Sequence, residues 1–172
     1  MSKKEAPTIK TERLTLRRLT EEDIPNMAKM FGDSETTKYL TGDTPPSDEH
    51  TMLKIVRARK ETEWAIVLNE TSQFIGDCMI PSITENYLGE IGCVLIREHW
   101  GNGYATEALL AIINHCICTL NLKRLCARID NNNVNAKKLA EKLGFEQNAV
   151  LPEANFVGRI CDIAYYSKLL NI

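Results

Sequence analysis

The stretch that most constrains the fold runs from Glu90 to Leu110, EIGCVLIREHWGNGYATEALL, where a strand pattern becomes a helical pattern. Residues 90–96 are apolar enough for a strand buried on both faces. Gly101 and Gly103 interrupt this strand, and from Ala105 onward the apolar residues recur at helical spacing. Such a turn leaves the first N–H groups of the helix without partners at the positive end of the helix dipole. The stretch therefore predicts an anion site.

The spacing of residues at this turn separates the known phosphate-binding motifs. A P-loop requires Gly-Lys-Ser/Thr at the start of the helix, and the sequence there has no such triplet. A dinucleotide-binding GxGxxG motif would need a third glycine at position 106, where Thr106 stands. A plain strand-to-helix turn without a ligand is the alternative that two glycines alone leave open.

Length, charge and cysteine spacing limit the classes of protein to which the chain can belong. Its 172 residues, 44% of them hydrophobic, suit one core, so we expect a single domain covering residues 1–172. The net charge of −2 argues against a nucleic-acid partner. Neither a long apolar run nor a signal-peptide pattern occurs, so we expect a cytoplasmic protein without a membrane partner. The six cysteines and three histidines lack metal-ligand spacing, so we expect no metal.

Patterns elsewhere in the chain predict a mixed α and β fold. Alternating residues at Thr11–Leu19 predict a first strand, and apolar runs within 63–80 predict a hairpin. The composition of Tyr39–Ser47 predicts a loop, which either frames a substrate pocket or only connects the elements on either side of it. Residues 124–129 predict a strand and 136–143 a short helix. We therefore expect a three-layer α+β fold: one mixed, mostly antiparallel sheet of six or seven strands with one parallel pair, flanked by about four helices.

Two segments, HWGNGYATEAL at 99–109 and NNNVNAKKLAEKLGF at 131–145, together carry a family resemblance. They resemble the GCN5-related N-acetyltransferase (GNAT) superfamily, specifically its ribosomal-protein alanine N-acetyltransferase (RimJ/RimL-like) branch. The opening TERLTLRRL and the ending GRICDIAYYSKLL are also similar to that branch, so the resemblance covers nearly the whole chain. It implies a GNAT fold with a central splayed parallel pair of strands. It also implies acetyl-CoA as cosubstrate, an amine as acceptor, and a homodimer as the oligomeric state that related proteins often adopt.

The resemblance implies a cofactor site along the glycine turn. The superfamily's pyrophosphate motif, Gln/Arg-x-x-Gly-x-Gly/Ala, falls on Trp100, Gly103 and Ala105, with Trp100 in place of Gln or Arg. Because similar proteins hold pyrophosphate mainly through backbone N–H groups, we expect it at residues 100–106, with the pantetheine arm pairing near Leu95–Arg97. Asn133 takes the place of the superfamily's cofactor-contacting asparagine, and it also suits a helix N-cap. The predicted cofactor-binding residues are Leu95, Ile96, Arg97, Trp100, Gly101, Asn102, Gly103, Tyr104, Ala105, Thr106 and Asn133.

Acetyl transfer to an amine requires a neutral nucleophile, a polarised thioester carbonyl and a proton for the leaving thiolate. Backbone N–H groups near residues 93–95 are the candidates for polarising the carbonyl. We assign Glu90 as the general base, with an exposed strand glutamate as the alternative. Many relatives have a tyrosine that donates the proton at the position where this chain has Ala140, so the proton donor is unassigned. The remaining candidates for the donor are Tyr104, Tyr165, Tyr166 and Cys93.

Cys93 is also the candidate for a covalent route, which would require a nearby base and a lowered thiol pKa.

Three functions are compatible with the sequence. The first is an acetyl-CoA-dependent N-acetyltransferase acting by direct attack of a primary amine, such as the N-terminal amine of a ribosomal protein. The second acetylates a small molecule such as a polyamine, an amino acid or an aminoglycoside. The third is a non-catalytic acyl-CoA-binding module, suggested by Ala140 and Trp100.

Overall fold

The computed structural model describes residues 6–40, 48–58, 62–84, 88–156 and 158–170. Contacts within the chain divide it into two compact units. The first unit is Met1–Thr36, Pro46–Met79 and Cys93–Ala111, and the second is Thr37–Pro45, Ile80–Gly92 and Ile112–Ile172. Most of the loop predicted at Tyr39–Ser47, residues 41–47, lies outside the described residues. That residues 1–172 form one domain stays a prediction.

Nine strands and five α-helices are present in the described part of the chain. In chain order they are β1 (Ile9–Lys10), β2 (Leu14–Arg17), α1 (Ile24–Gly32), α2 (Ser34–Thr37), α3 (Glu49–Ala58), β3 (Glu63–Leu68), β4 (Phe74–Met79), β5 (Leu88–Glu90), β6 (Gly92–Leu95), α4 (Tyr104–Cys118), β7 (Arg124–Asp130), α5 (Val134–Lys142), β8 (Glu146–Phe156) and β9 (Arg159–Leu169). One sheet has the order β1-β2-β3-β4-β6, and the other has the order β5-β7-β9-β8. The predicted mixed α and β fold is confirmed, although nine strands in two sheets replace the expected six or seven in one.

The single strand predicted at residues 90–96 is divided at Ile91. Strand β5 pairs in parallel with β7, with Glu90 opposite Cys126, whereas β6 lies beside β4 in the other sheet. The parallel pair predicted from the strand, turn, helix and strand is therefore confirmed, and β5 supplies its first member. The division was missed because both halves continue the same apolar run, which carries no signal for a change of sheet.

Helix α1 packs its apolar stripe into the core of the first unit. Ile24, Met27 and Met30 recur at helical spacing and are buried. They belong to one cluster with Met52 of α3 and Phe74 of β4. Burial of each such side chain stabilises the fold by about 1.5–3 kcal/mol, so this cluster fixes both helices on the five-stranded sheet.

Strand register gathers polar side chains on one face of the four-stranded sheet. Strand β7 is antiparallel to β9, with Arg128 opposite Tyr165. Cys126 lies two residues from Arg128 on β7 and therefore faces the same side. Glu90 is opposite Cys126 on β5 and shares that side. Four side chains from three separate strands thus occupy one face of the second unit.

Helix α4 begins one residue before the predicted Ala105. Ala108, Ile112 and Cys116 are fully buried, which confirms the apolar stripe predicted from their spacing. Of the helices in the described ranges, none combines the length and apolar character needed to cross a membrane.

Candidate functional site

The turn between β6 and α4 has the backbone geometry that an anion site requires. After a short 3-10 helix at Arg97–His99, Gly101 and Gly103 adopt φ angles of +78° and +80°. Glycine adopts this left-handed conformation without strain, so both positions favour glycine. The N–H of Glu107 donates to the Gly103 carbonyl at 3.1 Å. The N–H groups of residues 104–106 therefore precede the first bonded turn and lack acceptors within the helix, at the positive end of its dipole.

Trp100 ties this turn to the end of β6. Its indole Nε1 donates to the Leu95 carbonyl at 2.8 Å, while 43% of the residue stays exposed. The Ile96 N–H donates to the Ile75 carbonyl on β4 at 2.9 Å. Because successive strand residues direct their backbone groups to opposite sides, Leu95 directs its N–H and C=O away from β4. That side is the edge of the five-stranded sheet as described, where an extended ligand can pair with the backbone.

Arg97 lines a cavity of about 170 Å³ in the first unit. Its Nε lies 3.5 Å from Asp33 Oδ2, and Lys29 Nζ lies 3.1 Å from Glu98 Oε1. A hydrogen bond from Thr36 and the nearby Arg97 guanidinium hold the pKa of Asp33 below its ordinary value. The lining residues are Lys29, Met30, Asp33, Thr36, Ile96, Arg97 and Glu98. Since the charges on its walls are paired, the cavity adds no net attraction for an anion.

Asn133 lies at the start of α5 in the second unit. Its Oδ1 accepts the N–H of Ala136 at 3.1 Å, which confirms the predicted N-cap and does not use the Nδ2 group. Asp130 fixes the turn before it, because its Oδ1 accepts the N–H of Asn132 at 2.8 Å and its Oδ2 pairs with Arg159. Burial alone would raise the pKa of Asp130, but these hydrogen bonds hold it below its ordinary value.

Glu90 forms a two-point ion pair with Arg128 in the second unit. The distances are 2.8 Å from Glu90 Oε1 to Arg128 Nε and 3.1 Å from Oε2 to Nη2, and 19% of the Glu90 side chain is exposed. The hydrogen bond to Glu90 raises the pKa of Arg128. Arg128 is not evident from the sequence as a partner of Glu90, because 38 positions separate the two residues and only the β5–β7 register unites them. The pair fixes the carboxylate and occupies both of its oxygens.

The two C-terminal tyrosines differ in what they contact. Tyr165 lies on the face of Glu90 and hydrogen-bonds Cys126; burial raises the pKa of its phenol, and the bond to Cys126 raises it further. Tyr166 is fully buried, and its hydroxyl lies 3.1 Å from Glu141 Oε1 and 3.0 Å from Gln147 Oε1. The hydroxyl of Tyr166 is therefore enclosed and already hydrogen-bonded, whereas Tyr165 is half-buried.

The surroundings of the Cys93 thiol on β6 stabilise the protonated thiol rather than the thiolate. Burial raises its pKa, and the Asp77 carboxylate raises it further. A nucleophilic cysteine needs a lowered thiol pKa, so this geometry does not favour the covalent route. Tyr104, the first residue of α4, has its ring centroid 4.7 Å from the guanidinium carbon of Arg13. Arg13 belongs to the TERLTLRRL segment, and nothing in its local sequence indicates this contact.

The structure gathers most of the predicted cofactor residues. Residues 95–97 and 100–106 lie in one continuous segment of the first unit, Cys93–Ala111, and the Asn102 side chain donates to the His99 and Trp100 carbonyls at 3.3 and 3.1 Å. Glu90 and Asn133 belong to the second unit. Within the ranges that the structure describes, no three His, Cys, Asp or Glu side chains gather as metal ligands would. The expected absence of a metal stays a prediction.

Comparison with known proteins identifies the class of this fold and site. The family described as acetyltransferase (GNAT) domain matches residues 13–146, so the chain belongs to the GNAT acetyltransferase family. It is 34% identical over 170 residues to the uncharacterized N-acetyltransferase p20 of Bacillus licheniformis, covering 94% of this chain and 96% of that protein. The predicted enzyme class, an acyltransferase, is thereby confirmed, and acetyl-CoA is the acetyl donor of the family.

Solved structures confirm the GNAT fold. A GNAT-family acetyltransferase from Bacillus anthracis superposes with a TM-score of 0.86 at 22% identity, covering 95% of this chain and 98% of that one. RimL, a ribosomal L7/L12 alpha-N-protein acetyltransferase solved in complex with coenzyme A, gives a TM-score of 0.82 at 17% identity, with coverage of 95% and 98%. At these identities the likeness concerns the fold.

Proposed function

We propose that this acetyltransferase transfers an acetyl group from acetyl-CoA directly to the N-terminal amine of a protein. The observation that supports acetyl-CoA as the acetyl donor is the turn at Gly101 and Gly103, which leaves the first N–H groups of α4 without helical acceptors. The likeness to RimL, a ribosomal L7/L12 alpha-N-protein acetyltransferase solved with coenzyme A, supports both the proposed acetyl donor and the proposed acceptor. A homodimer in the cytoplasm, without metal, nucleic acid or membrane, belongs to the same proposal.

The residues of the turn fit the chemistry of acetyl-CoA. The N–H groups of residues 101–106 suit its diphosphate, and Asn133 Nδ2 suits the amide groups of its arm. The Leu95 carbonyl already accepts the Trp100 indole, so the arm would pair mainly with backbone groups before Leu95. The N–H groups of Cys93 and Leu95 on the strand edge suit the thioester carbonyl, whose developing charge they would stabilise. Acetyl-CoA supplies the activated acyl group, and the chain supplies hydrogen-bond donors.

Glu90 is the proposed general base for the acceptor amine, acting directly or through water. Arg128 holds its carboxylate in one orientation by two hydrogen bonds. Tyr165 is the proposed proton donor for the thiolate, because it lies on the face of Glu90 and a phenol carries its proton at neutral pH. The ring of Tyr104 stacks against Arg13, and the hydroxyl of the buried Tyr166 is already hydrogen-bonded, so both suit this role less well.

The acceptor is tested by measuring thiol release from acetyl-CoA with three sets of amines. These are peptides with free N-termini, the same peptides with blocked N-termini, and small amines including polyamines, amino acids and an aminoglycoside. The proposal expects release with free peptides and none with blocked ones. Release with small amines alone would move the acceptor to that class. Thermal stabilisation by acetyl-CoA without release for any amine would indicate a non-catalytic module, and absence of binding would contradict the donor site.

A further inference from the structure

Arg13, one residue before β2, contacts the glycine turn and the first turn of α4 through its guanidinium group. Its Nε lies 2.7 Å from Glu107 Oε2, and its Nη1 donates to the Asn102 carbonyl at 3.0 Å. The plane stands over Tyr104, with 4.7 Å from Cζ to the ring centroid. Its Nη2 lies 3.5 Å from the position that a Cβ on Gly103 would take. One side chain from the start of the chain thus contacts both the turn and the helix that follows it.

Glu107 anchors this arginine at the first turn of α4. Its Oε1 accepts the Thr11 hydroxyl at 2.6 Å and the Arg13 backbone N–H at 2.8 Å. Burial alone would raise the pKa of Glu107, but the hydrogen bonds from Thr11 and Arg13 hold it below its ordinary value. A carboxylate so close to an anion site would repel a phosphate, and the guanidinium of Arg13 neutralises it.

We propose that Arg13 is a positioning residue for the diphosphate-binding turn, an inference that rests on the proposed function. The peptide between Asn102 and Gly103 is planar and trans, so its C=O and N–H point in opposite directions. Arg13 fixes the direction of the carbonyl and thereby directs the Gly103 N–H to the opposite side. Because Gly101 and Gly103 flank Asn102 and are conformationally permissive, this peptide would otherwise rotate at low cost. The guanidinium therefore orients the Gly103 N–H as a hydrogen-bond donor to the phosphate without contacting the phosphate itself.

The fork of the guanidinium is essential to this role. Lysine keeps the positive charge but presents one flexible ammonium, which cannot hold Glu107 and the Asn102 carbonyl in one rigid geometry. Arg13→Lys therefore separates positioning from charge, and Arg13→Met removes both. Arg57→Lys is the matched control, because Arg57 pairs with Glu21 at 3.1 Å on the exposed surface of the same unit.

The test compares acetyl-CoA with acetyl-pantetheine, a donor that lacks the diphosphate. Arg13→Lys and Arg13→Met are expected to raise the Kd of coenzyme A and the KM of acetyl-CoA by about tenfold, as loss of a charge-assisted hydrogen bond would, with kcat nearly unchanged. The kcat/KM for acetyl-pantetheine should stay at the wild-type value in both variants. Arg57→Lys should change neither donor. Glu107→Gln should also raise the Kd of coenzyme A selectively, because it loosens Arg13.

Wild-type coenzyme A affinity in Arg13→Lys would overturn the inference, because the positive charge alone would then suffice. Equal losses for both donors would also overturn it, because Arg13 would then support the fold of the unit rather than the turn. Thermal melts identify variants that fail to fold, and if Arg13→Met fails, Arg13→Lys and Glu107→Gln decide by the same comparison of donors. Failure of the wild type to bind coenzyme A would overturn the proposed function itself, and the role of Arg13 with it.

Discussion

The glycine turn and the Glu90 face are built from different parts of the chain and by different means. At the turn, the groups that we propose to bind the donor are backbone N–H groups in one stretch, residues 101–106, held by Trp100 and Arg13. On the sheet face, the groups are side chains from three strands, and Glu90 is held by Arg128 across the β5–β7 register. The first region depends on φ angles and the second on strand pairing.

This difference separates what each region can do. A preorganised set of backbone donors recognises a diphosphate whatever amine is acetylated, so the turn suits a donor common to the whole family. Side chains on a sheet face vary without disturbing the backbone, so that face suits the acceptor and the proton transfers. Variants of the turn should therefore change donor affinity, and variants of the face should change turnover.

Glu90→Gln is expected to have the largest effect. Removal of a general base lowers kcat by about 10²- to 10⁴-fold, while the Kd of coenzyme A should stay at the wild-type value because the turn is untouched. Thiol-release kinetics and calorimetric titration measure the two quantities separately. Arg128→Gln is the matched variant: it leaves the carboxylate but frees it from its ion pair, so its loss of kcat should be smaller.

Two outcomes would break this part of the comparison. Full activity in Glu90→Gln would remove the base assignment and leave the ion pair as a structural feature. An equal loss in Arg128→Gln, with no further loss in the double variant, would show that the pair acts as a unit that shapes the face.

Gly101→Ala should have the next largest effect, on donor affinity. Gly101 and Gly158 have φ angles of +78° and +83°, and a Cβ at either would meet no atom within 4 Å. Alanine at either position should therefore lower the free energy of unfolding similarly, by about 1–2 kcal/mol of left-handed backbone strain. Only Gly101→Ala should also raise the Kd of coenzyme A, by about tenfold, because it disturbs the turn. Comparable weakening by Gly158→Ala would contradict a specific role for the turn.

Glu107 should make the stability of the turn depend on pH. Its folded-state pKa lies below the ordinary value of 4.5, so its ionised carboxylate stabilises the folded protein above pH 4.5. That contribution is lost as the pH falls through the folded-state pKa. Glu107→Gln should therefore lower the free energy of unfolding at pH 7, and its difference from the wild type should shrink below pH 4.5. Urea denaturation over a pH series measures this.

Glu21→Gln is the control for this pH series. The Glu21 side chain is 59% exposed in its pair with Arg57, and such surface pairs contribute little, so its substitution should leave the free energy of unfolding nearly unchanged. A pH-independent difference for Glu107→Gln would show that its contribution is packing rather than charge.

Features that depend on neighbouring residues were predictable from the sequence, and features that depend on register were not. The strand, glycine turn and helix follow from local spacing, and the N-cap at Asn133 follows from the residue type before a helical pattern. The division of the strand at Ile91 was missed because each half has the same apolar character. The contacts of Arg13 and Arg128 were missed because 94 and 38 positions separate them from Glu107 and Glu90. Only the folded register brings such charges together.

Cys93→Ala should have the smallest effect, within about twofold in kcat/KM, because the half-buried thiol stays protonated and direct attack needs no enzyme nucleophile. Cys78→Ala is the matched control, since burial also raises the pKa of the Cys78 thiol on the neighbouring strand β4. Mass spectrometry of the wild type with acetyl-CoA and no amine should show no acetylated protein. Acetylation at Cys93, together with a loss of activity in Cys93→Ala but not in Cys78→Ala, would contradict this comparison. The side chain that forms the acyl intermediate would then lie beside the donor turn rather than on the Glu90 face.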